Sequence, residues 1–165
     1  MSFNVDHVYG YGFEIAFHGI DSGFDSKKFF DFLKNHKETI KDLYDGKSIL
    51  KFLEKENPDI DEFWEEFDGR ENCEGYGYNT ARNIVADIMN KETGIRFTLQ
   101  LDMDSDKEFV MLPECMPWLL NEKEKALTEK DLHDICVKYR SEIGLPTEEE
   151  HEGQIFGMQK VEYFG

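Results

Sequence analysis

"LQLDMDSDKEFVML", Leu99 to Leu112, decides how this chain is read. Apolar, strand-type runs flank three aspartates at alternate positions, Asp102, Asp104 and Asp106. Asp and Ser side chains bond their own backbone and form turns, so "IRFTLQLD" and "EFVML" are expected to be the arms of a β-hairpin with "DMDSDK" at its tip. The same aspartates are the chain's candidate metal ligands. Counted as a calcium loop from Asp102, however, the sixth position is Lys107 where the sharp turn wants Gly, and the twelfth is Pro113 where a Glu belongs. The strand-ending D-x-D of aspartate-based phosphotransferases needs later acidic residues to hold its metal, and here a second strand follows at once. A cation site on Asp102, Asp104 and Asp106 is therefore the alternative to the plain hairpin tip.

Working outward, "HVYGYGFEIAF" (His7 to Phe17) reads as a first strand in which Gly10 and Gly12 mark a bulge or a close backbone contact. "SKKFFDFLKNHKETIKDLY" has helical spacing, with Phe29, Phe32, Leu33, His36, Ile40 and Leu43 on one stripe and Asp25 or Ser26 as cap. "DGKSILKFLEKE" gives a short helix capped at Ser48 that buries Ile49, Leu50 and Leu53. "NPDIDEFWEEF" gives another: Asn57 is the expected cap, Pro58 suits the first helical position, and Ile60, Phe63, Trp64 and Phe67 form its apolar face. "NTARNIVADIMNKETG" points Ile84, Val85, Ile88 and Met89 inward and ends at Gly94. "PECMPWLLNEKEKA" is irregular because of Pro113 and Pro117. "LTEKDLHDICVKYRSEIG" is a helix capped by Thr128, and "QIFGMQKVEYF" is a last strand. This order predicts an α+β fold: a small, mainly antiparallel sheet of about four strands with helices packed on one face, residues 1–165 forming one domain.

The chain has 165 residues, 39% hydrophobic and 14% aromatic, enough to bury a core without staples. Its net charge of −17 argues against direct nucleic-acid binding, which needs Lys and Arg to neutralise phosphates, and suits a basic partner. Cys73, Cys115 and Cys136 form no metal-type spacing. The chain carries no signal-peptide pattern and no membrane-length apolar run, so a soluble, cytoplasmic protein is expected. Gly75 and Gly77 precede the helix beginning near Asn79, a faint hint of an anion site, although the surrounding acids would repel phosphate. No Ser-His-Asp or Cys-His arrangement announces itself, and Cys73 lies in an acidic loop that disfavours its thiolate. The expectation is a protein that is not an enzyme and uses no cofactor.

The run "EKENPDIDEFWEEFDGRENCE" is the most distinctive stretch. Its helix would present Asp59, Asp61, Glu62, Glu65 and Glu66 as a carboxylate array for a basic groove, with Trp64 as aromatic anchor; "TEEEHE" (Thr147 to Glu152) could add to it. The ordinary role of such a run is a solvated helix face. With "YGYGFEI", "MPWLLNEKEKALTEKDLHDICVKYRSEIG" and "VEYFG" in view, the chain resembles small acidic proteins of phages and other bacterial mobile elements. That resemblance implies an accessory or anti-defence role, anti-CRISPR inhibition being the best-known kind, with a CRISPR effector or other defence nuclease as partner. The leading expectation is thus a non-enzymatic inhibitor, a nucleic-acid mimic in effect. The alternatives are a cation- or small-ligand-binding enzyme using the aspartate cluster, and a homo-oligomeric structural protein with exposed Trp64 and Trp118 in a self-complementary patch.

Overall fold

Alternating apolar residues with β-branched and aromatic side chains form the strands, and the turn chemistry of the aspartates joins two of them. The computed structural model describes residues 5–17, 23–45, 48–67, 80–147 and 155–164. Four strands, β1 (Val5–Glu14), β2 (Thr98–Leu101), β3 (Glu108–Pro113) and β4 (Gly157–Phe164), form one sheet in the order β2-β3-β1-β4. All three pairings are antiparallel, so the first and last strands of the chain are neighbours.

The register sorts side chains between two faces. Phe13 opposes Val110, Val110 opposes Leu99, and Tyr11 opposes Leu112; these residues join the main core against the helices. On the other face Val8 opposes Val161, and together with Phe109 and Met111 they make a second, small apolar cluster. Glu108 to Met111 are consequently buried at four successive positions, as expected for a strand covered on both sides. Gly12 opposes Met111, and a Cβ placed there would lie 2.0 Å from Val110 O. Only glycine allows that approach of β1 to β3.

The helices are α1 (Ser26–Asn35), α2 (Lys37–Tyr44), α3 (Ser48–Leu53), α4 (Ile60–Phe67), α5 (Thr80–Thr93), α6 (Glu122–Lys125) and α7 (Glu129–Glu142). A 3-10 turn, Pro117–Leu119, precedes α6. Phe63 of α4 is the hub of an aromatic core, with ring centroids 5.0–6.1 Å from Phe29, Phe30, Phe52, Trp64 and Phe67. Ile84, Val85, Ile88 and Met89 of α5 are fully buried, and Gly94 takes φ 71° just past the helix end. Among the described residues no helix is long and apolar enough to cross a membrane.

Three local expectations are corrected. The long helix anticipated after Ser26 is broken at His36 (φ −104°, ψ 21°) into α1 and α2, and Leu43 is exposed rather than on the buried stripe. α4 is capped by Asp59, not Asn57: its Oδ1 accepts from the backbone N–H of Asp61 at 2.9 Å and of Glu62 at 3.4 Å. An Asp at that position satisfies two otherwise orphaned N–H groups, so the helix starts two residues later than Pro58 would suggest. Within the irregular stretch, Asn121 opens α6 with a capping box closed by Glu124.

Candidate functional site

α4 is short, and its sequence divides cleanly. Phe63 and Phe67 are buried, while Asp61, Glu62, Glu65 and Glu66 are exposed, as is the capping Asp59. From Glu54 to Glu66 seven acidic residues accompany one cation, Lys55, whose Nζ reaches Glu62 Oε1 at 3.5 Å. The result is a solvent-facing carboxylate array on an aromatic footing. In water the carboxylates repel one another weakly, and a cationic surface would relieve that repulsion.

Trp64 departs from its expected role. Its ring centroid lies 5.2 Å from Phe17, 5.4 Å from Phe29 and 5.6 Å from Phe24, so the indole is half-buried in the core rather than standing free as an anchor. The freely exposed indole is Trp118, 74% accessible, flanked by exposed Met116 and Leu119.

The three aspartates form a hairpin tip and are not brought together as ligands. Asp102 is buried, and its carboxylate is already committed: Oδ2 accepts from Ser105 Oγ at 2.5 Å, and Oδ1 accepts from the Glu162 N–H at 2.9 Å and the Asp104 N–H at 3.4 Å. The Ser105 hydrogen bond foremost, with the backbone N–H groups, outweighs burial and holds this carboxyl below the usual range. Met103 N donates to Glu162 O at 2.9 Å, so the tip caps part of β4, which lies at the opposite edge of the sheet from β2. Asp104 and Asp106 point to solvent, and Asp106 occupies the left-handed region at φ 58°. Among the described residues no group of three or more His, Cys, Asp or Glu is placed to hold a metal ion. Gly10 and Gly12 lie within β1, away from any strand-to-helix turn. Gly75, Gly77, Cys73 and residues 148–152 of the second acidic run lie outside the described residues.

Two polar clusters were not foreseen as such. Glu124 has a fully buried carboxylate, held by Arg96 Nε at 3.0 and 3.1 Å, Arg96 Nη2 at 2.6 Å, and the N–H groups of Arg96 and Asn121 at 2.9 and 3.0 Å. Arg96 Nη2 also donates to Leu119 O at 2.6 Å, and Asn121 Nδ2 to Gly94 O at 2.9 Å, which fixes the Trp118 turn to the segment between α5 and β2. These hydrogen bonds, Arg96's above all, lower the Glu124 carboxyl to about 2. The N-x-x-E pattern of Asn121 and Glu124 was a legible signal of the cap, though not of the arginine.

The second cluster surrounds His36. Nδ1 lies 2.6 Å from Glu92 Oε2 and Nε2 lies 3.1 Å from Glu142 Oε2; Thr39 Oγ1 and Tyr139 OH each donate to Glu92 at 2.8 Å. Burial raises the Glu92 carboxyl, but the hydrogen bonds from His36, Tyr139 and Thr39 prevail and hold it below the usual range. Burial pushes the Cys136 thiol up to about 12, the setting of a packed rather than a reactive cysteine. No protein-family model, curated protein or solved structure matches the chain.

Proposed function

We propose that the chain is a non-enzymatic binding protein whose acidic α4 face occupies the basic groove of a nucleic-acid-handling protein, as a nucleic-acid backbone would. The observation that carries this reading is the exposed array of Asp61, Glu62, Glu65 and Glu66, backed by buried Phe63 and Phe67, on a chain of net charge −17. A row of carboxylates steers a cationic partner and supplies many weak contacts at once. Asp59 belongs to the array by position and also caps the helix, so it is a poor site for testing binding alone. The resemblance to acidic mobile-element proteins directs the reading to bacterial defence nucleases, CRISPR effectors among them, and hence to the cytoplasm. Affinity capture from nuclease-treated bacterial lysate, at low and high salt, tests it. The expected result is one nucleic-acid-handling complex retained at low salt and lost when Asp61, Glu62, Glu65 and Glu66 are reversed to Lys.

A second reading rests on Trp118. An indole 74% exposed, on a turn clamped by Arg96 and Glu124, is the kind of preorganised aromatic that anchors interfaces. It favours an oligomeric accessory protein if light scattering shows association that Trp118→Ala abolishes.

A further inference from the structure

Hydrogen-bond alternation in the sheet leaves part of β4 with an open edge. Ile15 N donates to Glu108 O at 2.9 Å and Glu114 N to Tyr9 O at 2.7 Å, so the odd-numbered residues of β1 turn their peptide groups to β3 and the even-numbered ones to β4. Gly12, Gly10 and Val8 meet Gly157, Gln159 and Val161 in register. Met158, Lys160 and Glu162 therefore point their N–H and C=O groups away from β1. Those of Glu162 are satisfied by the hairpin tip: its O accepts from Met103 N and its N–H donates to Asp102 Oδ1, both at 2.9 Å. Among the described residues nothing does the same for the backbone of Met158 or Lys160, and both side chains are about half exposed. An unpaired edge of this kind is a template for another strand.

We infer that this edge pairs with the same edge of a second copy, antiparallel about Gln159, joining two four-stranded sheets into one. Charge selects the occupant. From Ile155 to Val161 the sequence has no acid and one cation, Lys160, in a chain with 36 acidic residues. The next acid along β4, Glu162, already accepts from Lys160 Nζ at 3.4 Å. This edge is where two copies, each of net charge −17, meet with little repulsion. Charge and geometry also select the register. Centring on Lys160 sets two lysines against each other, and centring on Val161 needs the peptide groups of Glu162 that the hairpin tip holds. Centred on Gln159, Met158 of each copy exchanges both N–H···O bonds with Lys160 of the other, and the lysine stem lies along the thioether. So short a contact makes a weak dimer, which salt strengthens by screening the like charges. A basic groove bound to α4 has the opposite salt response, and no residue of α4 takes part here, so this inference stands or falls apart from the groove reading.

Sedimentation equilibrium of the full chain from micromolar to millimolar concentration, at low and high salt, tests this together with amide hydrogen exchange at both ends of the range. The expected result is a monomer–dimer equilibrium that tightens with salt. The Met158 and Lys160 amides gain protection in the dimer, while the Gln159 amide, already turned to β1, does not change. Substitution of exposed Met158 reads the register. Met158→Glu places a carboxylate opposite Lys160 of the other copy and should tighten the dimer by roughly 2- to 30-fold over its two symmetric pairs, whereas Met158→Lys should weaken it by a similar factor. Net charge alone ranks the two in reverse, because Met158→Glu makes the chain more acidic. A chain that stays monomeric across the range would overturn the inference, as would a dimer whose Met158 and Lys160 amides remain unprotected and which Trp118→Ala abolishes. Growth beyond the dimer through the outward edge of β2, or the reversed ranking of the two variants, would overturn it as well.

Discussion

Glu124 gives the sharpest stability prediction. Replacing it with Ala removes a carboxylate that accepts from the Arg96 side chain and from two backbone N–H groups. Breaking a buried ion pair costs about 3–5 kcal/mol, and a hydrogen bond to a charged group contributes about 1.5–3 kcal/mol. The Arg96 side chain is 50% exposed, so the cation left behind regains water and the cost falls toward the lower end. About 3 kcal/mol is the resulting figure for Glu124→Ala, which for a chain of this size lowers Tm by roughly 6–12 °C. The pH dependence has a definite sign. The carboxyl is lowered to about 2 in the folded chain, below its value when unfolded, so its contribution is present above about pH 4.5 and is lost as pH falls toward 2. Glu124→Gln has nothing to protonate, and its stability should fall less steeply over that window. Circular-dichroism melts from pH 2.5 to 7 measure both effects. A Glu124→Gln protein with the wild-type Tm at pH 7 and the wild-type acid limb would show that the carboxylate does not hold this corner of the fold.

Asp102→Ala strips the hairpin tip of its bonds to Ser105 and to the Glu162 N–H, and should cost about 1–3 kcal/mol in urea denaturation, whereas Asp104→Asn should be within about 0.5 kcal/mol of wild type. Gly12→Ala places a methyl 2.0 Å from Val110 O and should abolish cooperative unfolding or sharply reduce soluble yield. Phe63→Ala empties the hub of the aromatic core and should destabilise by about 3–5 kcal/mol, read by the same melts.

The fold was legible where local chemistry controls it. The aspartate tip, the Thr128 cap and the buried face of α5 all rest on residues within a few positions of one another. The break at His36 was not, because the ring is held by Glu92 and Glu142, which lie 56 and 106 positions away along the chain. Trp64 misled for a related reason. Helical spacing put it on the apolar face, but only the approach of Phe17, Phe24 and Phe29 determines how much of the indole is left for a partner. Glu124 reads as one more surface acid until Arg96, 28 positions earlier, is brought beside it. The carboxylates of α4 were read correctly as exposed, since an amphipathic helix with buried phenylalanines leaves its acids nowhere else to go.

Whether the acidic face of α4 binds a basic groove is tested by the lysate capture, run with wild type and with the Asp61, Glu62, Glu65 and Glu66 to Lys variant after melts have shown both to be folded. The expected result is a nucleic-acid-handling partner that wild type retains at low salt, loses at high salt, and that the variant never retains. Retention of the same partner by both proteins, indifferent to salt, would contradict it.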